Sequence, residues 1–193
     1  MKQTNFLETA ANRKNKPLAA RMAPSSFEEF VGQDNIVGDG KLLRCSIEAD
    51  NLGSVIFFGP PGTGKSALAR IVASKTKTYF EEANAVTTST ADVRKIIETA
   101  KARTEMSGRK TILMLDEIHH FNRSQQDALL LDVERGVITL IGITTENPFF
   151  YINAAIISRS TVFEFQSLSQ KALLYIMESA LKDKENGLPH LQS

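Results

Sequence analysis

Short unbroken apolar runs alternate along this chain with longer stretches in which apolar residues recur every three or four positions. Val55-Ile56-Phe57-Phe58 is a continuous apolar run between turn residues, the pattern of a strand buried on both faces of a parallel sheet. Thr111 to Leu115 and Ile138 to Thr144 repeat it, and Thr78 to Ala85 and Thr161 to Phe165 read as further strands. The helical period predicts helices over Gly64 to Lys75, over Ala91 to Met106 with Val93, Ile96, Ile97 and Ala100 inward, and over Arg123 to Glu134, stopped by Gly136. Lys41 to Asp50 reads as a helix with Leu42, Leu43 and Ile47 on one side. Ser169 to Lys182 reads as an amphipathic helix carrying Leu173, Leu174, Ile176, Met177 and Leu181. Ser25 to Phe30 predicts a short helical turn, with Ser25 as cap and Glu28 three residues on. Val31-Gly32-Gln33 follows as a turn, and the polar stretch Met1 to Lys16 reads as a flexible tail. Strands alternating with helices predict an α/β fold, a parallel sheet sandwiched between helices on both faces. Ligands of such sheets bind outside the carboxyl ends of the strands.

Composition narrows the class. The chain has 193 residues, 42% apolar and 23% charged, ordinary for a globular domain with a core of its own. A net charge of +1 supplies no strong overall field toward nucleic acid or acidic membranes, so DNA binding would need a local patch or an assembled ring. One cysteine, Cys45, excludes an intrachain disulfide and fits a reducing cytosol or nucleus; it reads as a small buried hydrophobe in a helix. No apolar run approaches the ~20 residues that span a bilayer, and the N-terminus lacks the apolar core of a signal peptide.

The chemistry begins at Gly59-Pro60-Pro61-Gly62-Thr63-Gly64-Lys65-Ser66, which fits G-x-x-x-x-G-K-[ST] at every position, after a buried strand and at the head of a helix. Glycines let the backbone curl so that several N–H groups converge on phosphates, and the helix N-terminus adds positive potential. Lys65 supplies a mobile charge between the β- and γ-phosphates, and Ser66 offers its hydroxyl to Mg²⁺. The nucleotide-binding stretch runs on to Ala67. ATP and Mg²⁺ are the ligands this pattern requires.

The strand Thr111 to Leu115 delivers Asp116 and Glu117 at its carboxyl end. Asp116 is the candidate to hold Mg²⁺ and Glu117 the candidate to polarise the water that attacks the γ-phosphate. The adjacent histidines His119 and His120 point about 100° apart on a helix, which favours packing roles over a shared metal. Thr144-Thr145-Glu146-Asn147 ends the next strand; Thr145 or Asn147 could orient the water, or Asn147-Pro148 could simply mark a turn. Arg159, before the last strand, is a surface charge unless subunits pack so that it reaches a neighbour's γ-phosphate. Arg94, Lys95, Lys101 and Arg103 lie along one helix and read as a solvated face, with DNA phosphates the alternative.

At these residues the chain resembles the AAA+ ATPases and, more narrowly, the replication-associated recombination protein A family. The stretches that carry the narrower resemblance are Pro17 to Met22, Phe30 to Gln33, Asn84 to Thr87, His120-Phe121-Asn122-Arg123-Ser124-Gln125-Gln126-Asp127 and Ile141 to Pro148. It covers roughly Pro17 to Leu181. The chain departs from the family at Ser158-Arg159-Ser160, where Ser-Arg-Cys or Ser-Arg-Ala is usual, and at Leu131-Asp132, where a Leu-Pro-His run is usual.

The resemblance implies a P-loop AAA+ domain over 17–168 and the truncated start of a helical lid over 169–193, without the lid's second sensor arginine or an oligomerisation domain. It implies that Val31, Gly32 and Gln33 line the adenine pocket, that Asn147 is the first sensor with Thr145 as fallback, and that Arg159 is an arginine finger acting in trans. It also implies that Asn84 could hold Glu117 in an inactive pose. The implied function is a DNA-dependent ATPase at stalled or damaged replication forks. Its partners would be single-stranded or forked DNA and single-strand-binding protein, with no membrane. It would be a homo-oligomer, a tetramer, in the bacterial cytoplasm or the eukaryotic nucleus. A clamp-loader subunit or a Holliday-junction branch-migration motor is the alternative within the same chemistry. A nucleotide-gated binding module with little turnover is the alternative outside it.

Overall fold

The computed structural model describes residues 16–188, so the tail expected over Met1 to Lys16 lies, but for its last residue, outside the described residues. The chain forms two compact units, one from Gln33 to Ser167 and one from the segments on either side of it. Residues 17–32, expected to belong with the ATPase domain, group with the segment that begins at Leu168.

The Gln33–Ser167 unit is a five-stranded parallel sheet. Its elements are α2 (Asp34–Val37), α3 (Leu42–Glu48), β1 (Ser54–Phe58), α4 (Lys65–Lys75), β2 (Tyr79–Asn84), α5 (Thr90–Ser107), β3 (Thr111–Asp116), α6 (Arg123–Glu134), β4 (Ile138–Thr144), α7 (Pro148–Tyr151), α8 (Ala154–Ile157) and β5 (Ser160–Glu164). The strand order is β2-β3-β4-β1-β5. Successive strand side chains point to opposite faces, and all seven residues of β4 are buried, so both faces of the sheet are covered. The edge strands β2 and β5 are only partly buried. The core gathers Ile56, Leu113, Leu115, Ile118, Leu129, Leu140 and Ile156. Each such side chain removed from water contributes about 1.5–3 kcal/mol.

The predicted strands and helices form with ends shifted by a residue or two, as helix and strand termini do. Three side-chain expectations fail. Leu43 and Ile47, four apart, are the buried stripe of α3, whereas Leu42, one residue out of phase, is exposed. Cys45, two residues from Leu43, points to the opposite side and is exposed. Ser25 does not cap a helix: residues 27–29 form a turn, and the Ser25 N–H and Oγ both donate to Glu29 Oε2, at 2.8 and 2.9 Å. The first of these bonds, then the second, holds the Glu29 carboxyl below the usual carboxylate range.

The Phe121 to Asp127 run is explained by its hydrogen bonds. Phe121 is buried. Asn122 and Gln125 close a reciprocal capping box at the start of α6. Gln126, 3% exposed, donates to the carbonyls of Phe121 and Tyr151 and accepts from the Asn153 N–H at 2.6 Å. Asn153 Nδ2 donates to Asp127 at 2.6 Å. The run pins the loop after β3 to α7 and α8. On α5, Lys101 pairs with the buried Asp132 at 2.8 Å and Arg103 with Glu81 at 2.6 Å.

The flanking unit contains α1 (Leu18–Arg21) and α9 (Gln170–Lys182). Ser169 caps α9 by accepting from the Ala172 N–H. The helix buries none of its residues; Leu173, Leu174, Tyr175 and Met177 are all exposed. Within this unit a cavity of about 510 Å³ is bordered by Arg21, Met22, Val31, Tyr175, Ile176 and Asn186. Among the described residues no helix is long and apolar enough to cross a membrane.

Candidate nucleotide site at the carboxyl ends of the strands

β1 ends on a backbone that only glycine can follow. Gly59 has φ +138°, and a Cβ there would lie 2.2 Å from the Phe165 carbonyl oxygen. The Phe165 N–H donates to the Phe58 carbonyl at 2.7 Å, which holds the two chains at that distance. Thr63 Oγ1 staples the loop to itself by donating to the Pro60 carbonyl at 2.9 Å. Gly64, at φ +96°, then turns the chain into α4. Lys65, the first residue of that helix, is 7% exposed and folds back across the loop. Its Nζ donates to the carbonyls of Gly59 and Pro60, both at 2.7 Å. Burial pushes this ammonium down from the usual lysine value, and the Glu117 and Asp116 carboxylates oppose that push. An ammonium carries three donors, and two are satisfied by the loop.

β3 lies beside β4 and ends on Asp116, whose Oδ1 accepts from the Glu117 N–H at 3.1 Å. Glu117 then takes φ +53°, a left-handed conformation that costs a non-glycine residue about 1–3 kcal/mol. It opens a single 3₁₀ turn, Ile118–His120. Its Oε2 is buried and accepts no hydrogen bond. Leaving a buried acceptor unmet costs a further ~1–3 kcal/mol. Strain and an unpaired acceptor therefore fall on one residue. His119 Nδ1 lies 3.4 Å from Glu117 Oε2 and 2.8 Å from Thr144 Oγ1. The His119 ring packs against His120 at 4.2 Å and edge-on to Tyr151 at 6.1 Å between centroids.

These groups surround a cleft of about 250 Å³ bordered by Pro61 to Ala67, Asp116, Glu117 and Ile143 to Thr145. Lys65, Ser66, Asp116, Glu117 and Thr145 thus meet in one place. Ser66 and Asp116 offer hard oxygen donors to the same space, which fits a Mg²⁺ ion that takes its other ligands from phosphate and water. Gly59 and Pro60 do not border the cleft; their carbonyls hold Lys65.

Other expected residues lie elsewhere. Asn147, first choice for the sensor, caps α7 by accepting from the Phe149 N–H at 3.1 Å, and the fallback Thr145 faces the cleft instead. Asn84 does not hold Glu117; its Oδ1 accepts from the Val86 N–H at 2.8 Å. Gln33, at φ +60°, is buried against the chain leaving β5. Its Nε2 donates to the Gln166 carbonyl at 2.7 Å, its Oε1 accepts from the Gln166 N–H at 3.0 Å, and Nε2 also reaches the Thr63 carbonyl at 3.4 Å. Val31 borders the cavity of the flanking unit, and a Cβ on Gly32 (φ +80°) would meet Leu168 Cδ2 at 2.7 Å. Arg159 sits at the start of β5, paired with Glu134 at 2.6 Å. Sequence reasoning missed Thr144 and gave His119 only packing. The apolar pattern marks Thr144 as the last residue of a strand and says nothing of its partner.

Residues 55–168 match the ATPase family associated with various cellular activities (AAA). The chain is 43% identical over 185 residues to replication-associated recombination protein A of Haemophilus influenzae, and 44% identical over 172 residues to the protein of that name from Escherichia coli K12. The chain belongs to the AAA ATPases, in their replication-associated recombination protein A branch. These matches take in 96% and 89% of this AAA chain but only 41% and 38% of the relatives, so it spans about two fifths of their length. Among solved structures, the RuvB Holliday junction branch migration motor of Thermotoga maritima is similar, with a TM-score of 0.69 and 27% identity, over 83% of this chain and 54% of that one. The five-stranded parallel sheet is therefore a P-loop fold, and membership of the family supports ATP binding and ATPase chemistry in general.

Proposed function

We propose that this chain is the ATP-binding and hydrolysing part of a DNA-dependent ATPase that acts at stalled or damaged replication forks. The observation that carries the proposal is the meeting of Lys65, Ser66, Asp116, Glu117 and Thr145 around one cleft at the carboxyl ends of β1, β3 and β4. In this reading the loop amides and Lys65 hold the triphosphate, with the Nζ contacts to Gly59 and Pro60 exchanged in part for phosphate oxygens. Ser66 and Asp116 would hold Mg²⁺, which would offset the charge of the phosphates. Glu117 accepts a proton from the attacking water, and Thr145 orients that water from the end of β4. Val31 and Gly32 belong to the adenine pocket. Gln33 is expected at the same pocket, although its carboxamide is already bonded to Gln166.

Arg159 acts on a neighbouring subunit. In a parallel sheet it stands at the amino end of β5, one residue before Ser160, which pairs with Ser54. The phosphate loop begins at the opposite end of β1, and a five-residue strand is about 17 Å long. An arginine so placed does not reach its own cleft. In the homo-oligomer, a tetramer, it would leave Glu134 for the γ-phosphate bound next door. Single-strand-binding protein and forked or single-stranded DNA are the expected partners, in the cytoplasm of a bacterium or the nucleus of a eukaryote.

The test is ATP turnover by the full-length protein with single-stranded, forked and gapped DNA, with assembly recorded alongside. DNA should raise turnover, and Arg159→Ala should lower turnover of the assembly about 10³-fold while leaving the ATP affinity of a monomer unchanged. Turnover indifferent to every DNA would remove the fork reading. The likeness to RuvB favours a second reading, a branch-migration motor, for which a four-way junction would be the best activator.

A further inference from the structure

We propose that His119 is a positioning residue for Glu117, its Nδ1–H tying the water-activating carboxylate to the Thr144 hydroxyl at the end of β4. The proposal rests on the reading of Glu117 as the water activator. A carboxylate only accepts hydrogen bonds, and Glu117 Oε2 is buried without one; the polar atom facing it is His119 Nδ1, at 3.4 Å. The same Nδ1 is 2.8 Å from Thr144 Oγ1. A proton on Nδ1 serves both oxygens. A proton on Nε2 instead would turn a lone pair toward a negative charge. Thr144 Oγ1 is itself fixed by accepting from the Glu146 N–H at 3.0 Å, so it is a stationary anchor.

The ring is held to this duty. Its side chain is 13% exposed and packs against His120 and Tyr151. The left-handed backbone of Glu117 starts the 3₁₀ turn that carries His119 two residues on. The residue expected from sequence to restrain Glu117, Asn84, has its Oδ1 bonded to the Val86 N–H. Thr144 immediately precedes Thr145, which faces the cleft. A shift of this strand end when the γ-phosphate arrives or leaves is passed through Thr144 and His119 to Glu117.

The test uses the full-length protein and substitutions that separate the two ring nitrogens. The carboxamide of His119→Asn falls where Nδ1 lies, and that of His119→Gln reaches toward Nε2. His119→Ala and His119→Gln should each lower kcat about tenfold or more with unchanged ATP affinity, and His119→Asn should recover to within about threefold of the parent. Thr144→Val should cost a similar factor and add little when combined with His119→Ala, since the two residues act as one unit. Gln performing as well as Asn, or losses that follow a falling Tm, would overturn the assignment and leave a packing histidine.

A second measurement needs no turnover. The ring nitrogens of His119 can be assigned by NMR as the resonances that vanish in His119→Asn. The proton should reside on Nδ1 in the nucleotide-free protein, and the Nδ1 resonance should move on Glu117→Gln. A proton on Nε2, or no response, sinks the contact itself. Normal hydrolysis by Glu117→Gln with the Nδ1 response intact would instead sink the reading of Glu117 and leave the contact standing.

Discussion

The two ends of the same sheet are built differently. At the amino ends the ionic and most hydroxyl groups are paired, Thr111 Oγ1 at the start of β3 being buried without a partner. Arg159 bonds to Glu134, to the Ala155 carbonyl and to Ser158 Oγ. Ser160 Oγ donates to the Ile156 carbonyl, and Ser54 Oγ accepts from the Leu140 N–H. Tyr79 lies beneath the guanidinium groups of Arg103 and Arg109, at 4.6 and 5.4 Å from the ring centroid. At the carboxyl ends the backbone is bent out of its easy regions at Gly59, Gly64 and Glu117, Lys65 is a buried ammonium, and the buried Glu117 Oε2 is faced by His119 Nδ1 alone, at 3.4 Å. The pairs at one end hold the sheet together, whereas the polar groups at the other border an open cleft. A P-loop fold tolerates this because the strained residues rest on strands buried on both sides.

Substitutions can break that contrast, and the largest effect belongs to the carboxyl end. Lys65→Ala should remove detectable ATP binding, a loss of at least about a hundredfold by titration calorimetry, without unfolding the chain. Retained affinity would mean that the loop does not grip a triphosphate. Glu117→Gln should keep ATP bound and lower single-turnover hydrolysis by about 10²–10⁴-fold. Thermal unfolding of that variant should stay close to that of the parent, because the amide keeps the shape of the carboxylate and an acceptor for His119 Nδ1. In the core the signs reverse. Leu140→Ala should cost about 2–5 kcal/mol in urea unfolding and leave the ATP affinity of the folded fraction unchanged. The smallest effect is at the amino end, where Arg159→Ala should cost the isolated chain no more than about 1 kcal/mol, since both partners of its ion pair are partly solvated. A larger loss would make Glu134–Arg159 a structural lock and weaken the case for an arginine that changes partners.

Where one segment alone decides the outcome, sequence was a sufficient guide. The strand–loop–helix around Gly59 to Ser66 and the apolar strand ending in Asp116-Glu117 are local patterns, and both form as expected. Which side chain answers which was not legible, because that depends on neighbours far along the chain. Asn147 and Thr145 are two residues apart, yet Thr145 faces the cleft while Asn147 caps a helix of four residues that follows it. His119 gains meaning only because β4 is paired with β3, bringing Thr144 to it. Leu42 and Cys45 show how finely helical phase decides burial: a step of one or two residues carried both out of the buried stripe.

Gln33 imitates a strand. Its carboxamide offers Gln166 the donor and acceptor that a neighbouring backbone would, while also touching Thr63 within the phosphate loop. The consequence is mechanical. A loop that rises or settles around its cargo drags this prosthetic peptide bond with it, and the strap leaving β5 must follow. Glu in its place would keep the outline, forfeit the donor and turn an acceptor against the Gln166 carbonyl, leaving a linkage that slips.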